Sequence, residues 1–174
     1  FLASYTLGKA TDHVSGLNIG GEQRPVLPVT IGDEASVERA LEFEKGPALF
    51  DVRHRFVFSF GAALPTPTSM GKATEQILGG WQLNGIGSWY SGTPYSIGGT
   101  NNALNCQGCG SVFINFSGDS PEPIGAVGSS EPYYDKSLFS QPTGLDYNGF
   151  GTSKRNQFRR PNVWNVDMSL FKAF

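Results

Sequence analysis

From Phe56 to Phe60 every second residue is phenylalanine, with Val57 and Ser59 between. Side chains of a strand alternate between faces with a period of two. Phe56, Phe58 and Phe60 therefore share one face, and Arg53, Arg55, Val57 and Ser59 share the other. A helix would set Phe56 and Phe58 about 200° apart and blur that contrast. The pattern predicts a strand over about residues 52–63. It is stopped by Pro65-Thr66-Pro67-Thr68, because proline has no N–H to give to a ladder.

Three further stretches alternate. In residues 1–8, Phe1, Ala3, Tyr5 and Leu7 lie opposite Ser4 and Thr6. In residues 81–91, Trp81, Leu83, Gly85, Gly87 and Trp89 lie opposite Gln82, Asn84, Ile86, Ser88 and Tyr90. That second pattern is imperfect, and a bulge near Gly85 is expected to account for the slip. In residues 162–172, Trp164, Val166, Met168 and Leu170 lie opposite Asn165, Asp167 and Ser169. The connections between these strands, 9–49, 65–80 and 92–161, are long, short and long. Within the first, Ser36–Glu44 is expected to make about two helical turns with Val37, Ala40 and Leu41 on one side.

These elements predict an all-β fold of antiparallel strands. Its apolar faces meet either a protein core, as in a sandwich, or lipid, as in a transmembrane β-barrel. Two features favour the barrel. An unstructured connection of some 40 residues is unusual in a compact soluble domain but ordinary for the outer loops of a barrel. Asp167 in mid-strand suits a watery lumen better than a core, where an unpaired charge is costly. Trp81 and Trp89, roughly 26 Å apart at about 3.3 Å per residue, fit the height of a barrel's apolar band and equally fit two core tryptophans of a sandwich. Four strands cannot close a barrel, since about eight is the minimum, so the expectation is a partial barrel. The chain opens inside a strand without an initiating methionine, and we expect a fragment of a longer protein.

Composition narrows the function. The chain has 174 residues, 39% of them hydrophobic and 13% aromatic, with 23 glycines and 11 prolines. Such a chain favours strands joined by many turns. No window nears the roughly 20 apolar residues of a membrane helix. A net charge of −2 argues against nucleic acid as a partner. The basic pairs Lys154-Arg155 and Arg159-Arg160 are read as a solvated loop. Cys106 and Cys109 form half of a zinc site, with neither His13 nor His54 at a ligand spacing, so a local disulfide or two free thiols is expected. We expect no metal and no cofactor. The aromatics of the second long connection, Phe113, Phe116, Tyr133, Tyr134, Phe139, Tyr147 and Phe150, either stack on a ligand or pack on one another. No nucleophile elbow, His-Glu-x-x-His or phosphate loop occurs, and no catalytic residue is expected. Asp51 and His54, three apart on a strand, point to opposite faces and should not pair.

The residues resemble a known family. Phe50-Asp-Val-Arg-His-Arg-Phe-Val-Phe-Ser, Leu78-Gly-Gly-Trp-Gln-Leu-Asn-Gly-Ile and Ser91-Gly-Thr-Pro-Tyr are similar to the barrel of TonB-dependent outer-membrane receptors, and most of all to the Oar-like group. Ser4-Tyr-Thr-Leu-Gly-Lys, Arg155-Asn-Gln-Phe-Arg-Arg-Pro and Trp164-Asn-Val-Asp-Met-Ser-Leu-Phe-Lys extend the resemblance in family order from residue 4 to 172. It implies a plugged 22-stranded barrel that imports a scarce small substrate with energy delivered through TonB. Its partners are then outer-membrane lipid, the rest of its own barrel and plug, the TonB system and the substrate. The connections 9–49 and 92–161 are then extracellular, and 65–80 is a periplasmic turn. Phe56, Phe58, Phe60, Trp164, Val166, Met168 and Leu170 would face lipid in the outer membrane of a Gram-negative-type bacterium. Two other readings stay open. One is a secreted or surface all-β binding module, with carbohydrate as its candidate ligand, whose phenylalanine face packs on a second sheet. The other is a small β-rich hydrolase without a recognisable motif.

Overall fold

The computed structural model describes residues 1–15, 27, 29–66, 71–99, 112–143 and 150–173. Cys106, Cys109, Tyr147, Pro67 and Thr68 lie outside the described residues. In chain order the long strands are β1 (Leu2–Leu7), β2 (His54–Ala63), β3 (Trp81–Tyr90) and β4 (Val163–Lys172), and the helices are α1 (Glu34–Glu44) and α2 (Lys72–Leu78). The chain divides into two units. One comprises Phe1–Gly8, Val52–Ser91 and Asn162–Phe174, and the other Lys9–Asp51 and Gly92–Pro161.

The first unit is built on one antiparallel sheet in the order β1-β2-β3-β4, each strand beside its neighbour in the sequence. Such a meander follows from chain connectivity alone, without crossovers. Leu7 lies opposite His54, and Tyr90 lies opposite both Arg55 and Val163. Both long connections therefore leave from one end of the sheet and the short one from the other. The sheet is open, with β1 and β4 as its outer strands.

The expected bulge near Gly85 is absent. Pairing runs residue for residue from Val163↔Tyr90 to Lys172↔Trp81 and from Arg55↔Tyr90 to Ala63↔Gln82. The imperfect alternation of β3 has another cause. Gly85 and Gly87 lie opposite Phe60 and Phe58, and a Cβ at either glycine would collide with the ring from β2. The apolar content of those positions is supplied by the neighbouring strand. The rings of Phe58 and Phe60 stack with centroids 6.5 Å apart and 9° between planes.

The short connection contains α2, a helix not expected from the strand-breaking prolines at Pro65 and Pro67. Its residues Lys72-Ala-Thr-Glu-Gln-Ile-Leu are mostly good helix formers, and glycines bound them as N-cap (Gly71) and C-cap (Gly79). Gly80, at φ +74°, makes the turn into β3.

In the second unit the described residues of the two long connections are folded rather than irregular. Thr11–Asp12 pairs with Gly46–Pro47, Pro94–Tyr95 with Phe158–Arg159, and Asn115–Phe116 with Phe139–Ser140. Asp33 caps α1, its carboxylate accepting from the Ala35 amide at 3.2 Å. The buried side of α1 is Ser36 and Ala40, whereas Val37 and Leu41 are exposed, a correction to the expected apolar side. Ser36 is drawn inward by hydrogen bonds, its Oγ accepting from the Thr30 amide at 3.0 Å and donating to the Asp33 carbonyl at 2.7 Å. The core of this unit is aromatic. Phe113, Phe116, Phe150 and Phe158 are buried. Phe43 of the first connection meets Phe113 and Phe150 of the second at 5.7 and 6.0 Å.

Candidate functional site

The in-register sheet sums the four sequence patterns into one surface. Tyr5 lies opposite Phe56, Phe56 opposite Trp89, and Trp89 opposite Trp164. The next rows down are Ala3, Phe58, Gly87 and Val166, then Phe60, Gly85 and Met168, then Ala62, Leu83 and Leu170. All seven residues singled out from the sequence, Phe56, Phe58, Phe60, Trp164, Val166, Met168 and Leu170, share this face. Much of it is open: Trp164 is 73% and Met168 61% exposed. A contiguous apolar surface of this kind marks a site of contact with something apolar.

The opposite face is mixed: it carries Ser4, Thr6, Arg55, Ser59, Gln82, Asn84, Ser88, Asn165, Asp167 and Ser169, with Leu2, Val57, Ile86, Val163 and Phe171 among them. Several of its polar groups hold one another. The Asn165 amide donates to Asp167 at 2.8 Å, Gln82 donates to Asn84 at 2.8 Å, and the Arg55 guanidinium lies 5.3 Å from the centre of the Tyr90 ring. Asp167 in mid-strand thus has a partner on its own face.

A second feature lies in the unit made by the long connections. The basic run read as solvated is largely interior. Arg155 is fully buried. Its guanidinium donates to the Asp12 carboxylate at 2.7 Å, the Asp12 carbonyl at 2.9 Å and the Ser15 hydroxyl at 2.9 Å. Asn156 beside it, at φ +52°, donates to the Pro47 carbonyl at 2.7 Å. Arg159 pairs with the buried carboxylate of Asp51 and donates to the Gly92 carbonyl at 3.0 Å. Only Lys154 and Arg160 match the solvated reading. Burying a guanidinium is tolerable only when its fork is filled, as it is here. Arg155-Asn-Gln-Phe-Arg is therefore a clamp by which the second connection grips the first.

Tyr134 locks the same strand. Its hydroxyl donates to the Arg159 carbonyl at 2.7 Å and accepts from the Arg159 amide at 3.0 Å. Burial pushes this phenol up to about 12, against the amide hydrogen bond, which favours the phenolate. The folded value lies above the ordinary value of about 10. The stability it contributes is therefore complete below pH about 10 and is lost as pH rises towards about 12. Tyr134→Phe should remove the last phenol to ionise in an absorbance titration and cost about 1–2 kcal/mol from two lost hydrogen bonds. A titration unchanged by that substitution would assign the late phenol elsewhere.

Most of the loop aromatics are packed together. Phe116 lies 5.3 Å from both Phe139 and Phe158, and Tyr133 lies 4.9 Å from Tyr134. Asp51 and His54 each have other partners: Asp51 holds Arg159, and His54 Nδ1 lies 2.7 Å from the Tyr5 hydroxyl. Sequence reasoning missed the clamp because its acids lie far away. Arg155 and Asp12 are 143 residues apart.

Over residues 1–174 the chain matches the family model described as an outer membrane beta barrel domain. No curated protein and no solved structure matches it. The matched model spans both units and all four long strands, and the sheet has the neighbour-to-neighbour meander and two-sided polarity that such a domain requires. The chain belongs to the outer membrane β-barrel domain family and resides in the outer membrane of a Gram-negative-type bacterium.

Proposed function

We propose that this chain is a barrel segment of a TonB-dependent receptor of the Oar-like kind, which takes up a scarce substrate across the outer membrane and has no catalytic residues of its own. The observation that carries this reading is the ordered series of motifs from Ser4-Tyr-Thr-Leu-Gly-Lys to Trp164-Asn-Val-Asp-Met-Ser-Leu-Phe-Lys, which now fall on β1, the clamp and β4. In this reading the apolar face, with Phe56, Phe58, Phe60, Trp164, Val166, Met168 and Leu170, meets lipid, and the face with Asp167 lines a watery lumen. The row Tyr5-Phe56-Trp89-Trp164 and the residue Trp81 mark the two edges of the apolar band. They lie eight residues apart on β3, roughly 26 Å along the strand and roughly 20 Å across a bilayer at the usual tilt. The connections 9–49 and 92–161 are then extracellular loops, and 65–80, with α2, is a periplasmic turn. Further strands, pairing with β1 and β4, complete the barrel, which encloses a plug.

Reading the coding frame on both sides tests the assignment. We expect it to run upstream into a plug domain and onward into more alternating strands. A frame that encodes neither would overturn the receptor reading, since these four strands cannot close a barrel by themselves. Substrate uptake that persists in cells lacking TonB would separate the protein from the energised transporters.

A further inference from the structure

The end of the apolar face nearest the short connection holds a lysine where a hydrophobic residue would continue the pattern. Lys172 lies opposite Trp81, two positions beyond Leu170 and Leu83, so both side chains belong to the apolar face. Both turn to the same place. The Lys172 ammonium donates to the carbonyls of Gln76, Ile77 and Gly79 at 2.7, 2.9 and 3.0 Å. It also lies 4.9 Å from the centre of the Trp81 ring. The Trp81 indole N–H donates to the Ile77 carbonyl at 3.1 Å.

Those carbonyls belong to the last turn of α2 and its cap, where a helix has no internal donors left and its dipole favours a cation. Two side chains of the apolar face thus hold the end of α2 on that side of the sheet. The ammonium is satisfied by three carbonyls, so a charge at the edge of an apolar surface is hidden while its stem covers the indole. The helix end held there exposes apolar residues: Ile77 is 67% and Leu78 47% exposed. They belong to the connection at the end of the sheet where β3 begins, at Trp81, and β4 ends, at Lys172.

We infer that α2 is an interfacial helix. Pinned by Trp81 and Lys172, it lies in the phospholipid surface at the short-connection end, with Ile77 and Leu78 among the headgroups and upper acyl chains. The occupant is lipid because this surface is continuous with the one an outer-membrane barrel presents to lipid, and because an indole beside a satisfied ammonium is the pairing found at bilayer edges. The inference rests on the lipid-facing assignment of the sheet.

The test uses the intact protein in phosphatidylcholine–phosphatidylglycerol bilayers, with Cys106 and Cys109 replaced by serine. An environment-sensitive fluorophore is attached at one cysteine placed at Ile77, Met168 or Asp167. Lipids carrying a nitroxide at the headgroup or deep in the chain serve as quenchers. We expect headgroup nitroxide to quench the Ile77 probe at least about twofold more than the Asp167 probe, in keeping with the shallow depth of an interfacial helix. Deep nitroxide should quench the Met168 probe most. An Ile77 probe as protected as the Asp167 probe, with Met168 still quenched, would overturn the interfacial helix and leave the facing of the sheet intact. A Met168 probe that escapes quenching would overturn both.

Discussion

Replacing Met168 with arginine should block insertion of the barrel, whereas replacing its neighbour Ser169 with arginine should be mild. Met168 is 61% exposed on the apolar face, in the row with Phe60 and Gly85. That row is four residues from Trp89 and four from Trp81 along β3, roughly 13 Å each way at about 3.3 Å per residue. It is therefore the row farthest from both edges of the apolar band. An arginine on the lipid face costs about 2–4 kcal/mol at mid-bilayer and about 0–1 kcal/mol near an edge. By the same rule Phe58→Asp, one row nearer the tryptophan edge, should hinder insertion less than Phe60→Arg. Ser169 points to the face shared with Asn84 and Asp167, where a guanidinium keeps its water. The measurement is the fraction folded into bilayers across a urea titration, read by the heat-dependent shift on a gel. If Ser169→Arg failed and Met168→Arg folded normally, the two faces of the sheet would be reversed.

The same alternation explains how much of this fold could be read from the chain. A residue's face in a strand depends only on its parity. Phe56, Phe58 and Phe60, and Trp164, Val166, Met168 and Leu170, declared their surface before any partner was known. Pairing each strand with its sequence neighbour then placed them side by side. Where the reading failed, local pattern carried no information about the partner. The weak alternation of β3 suggested a bulge because Gly85 and Gly87 have no side chains, yet the missing bulk is Phe58 and Phe60 from β2. In α1 the buried positions are a serine and an alanine, and hydrophobic periodicity assigns little weight to either. Lys72–Leu78 lay within a segment read as a turn because prolines precede it, although its own residues favour helix. Charge patterning failed most clearly at Arg155, where two pairs of basic residues suggested solvent. The decisive carboxylates, Asp12 and Asp51, belong to the segment Lys9–Asp51, more than 100 residues earlier in the chain. A buried ion pair between distant segments has no local signature.

The second large effect is expected at that clamp. Arg155→Met keeps the stem but takes the guanidinium donors from the Asp12 carboxylate and carbonyl and from the Ser15 hydroxyl, while the carboxylate keeps the Ser15 hydroxyl at 2.8 Å. Breaking a buried pair from one side costs about 3–5 kcal/mol. Because the Asp12 side chain keeps 24% exposure, water recovers part of that, and the lower end, about 3 kcal/mol, is expected. At 1.36 kcal/mol per tenfold, the unit of long connections should then open about a hundredfold more often. Proteolysis follows the open population when closing is fast, so cleavage between residues 9–51 and 92–161 should accelerate by a similar factor. The strands should stay protected and the gel shift unchanged, because the clamp's partners all lie in the second unit. Arg155→Lys should recover only part of the loss. Its single ammonium can reach Asp12 or Ser15, but it cannot fork to both as two guanidinium nitrogens do. Cleavage of Arg155→Met at the parent rate would mean that the aromatic core, through Phe43, Phe113 and Phe150, suffices to hold the connections together. The expected acceleration would mean that a buried charge fixes their register, so that the folded form of the connections is set in advance. Loops ordered in advance lose less entropy on binding.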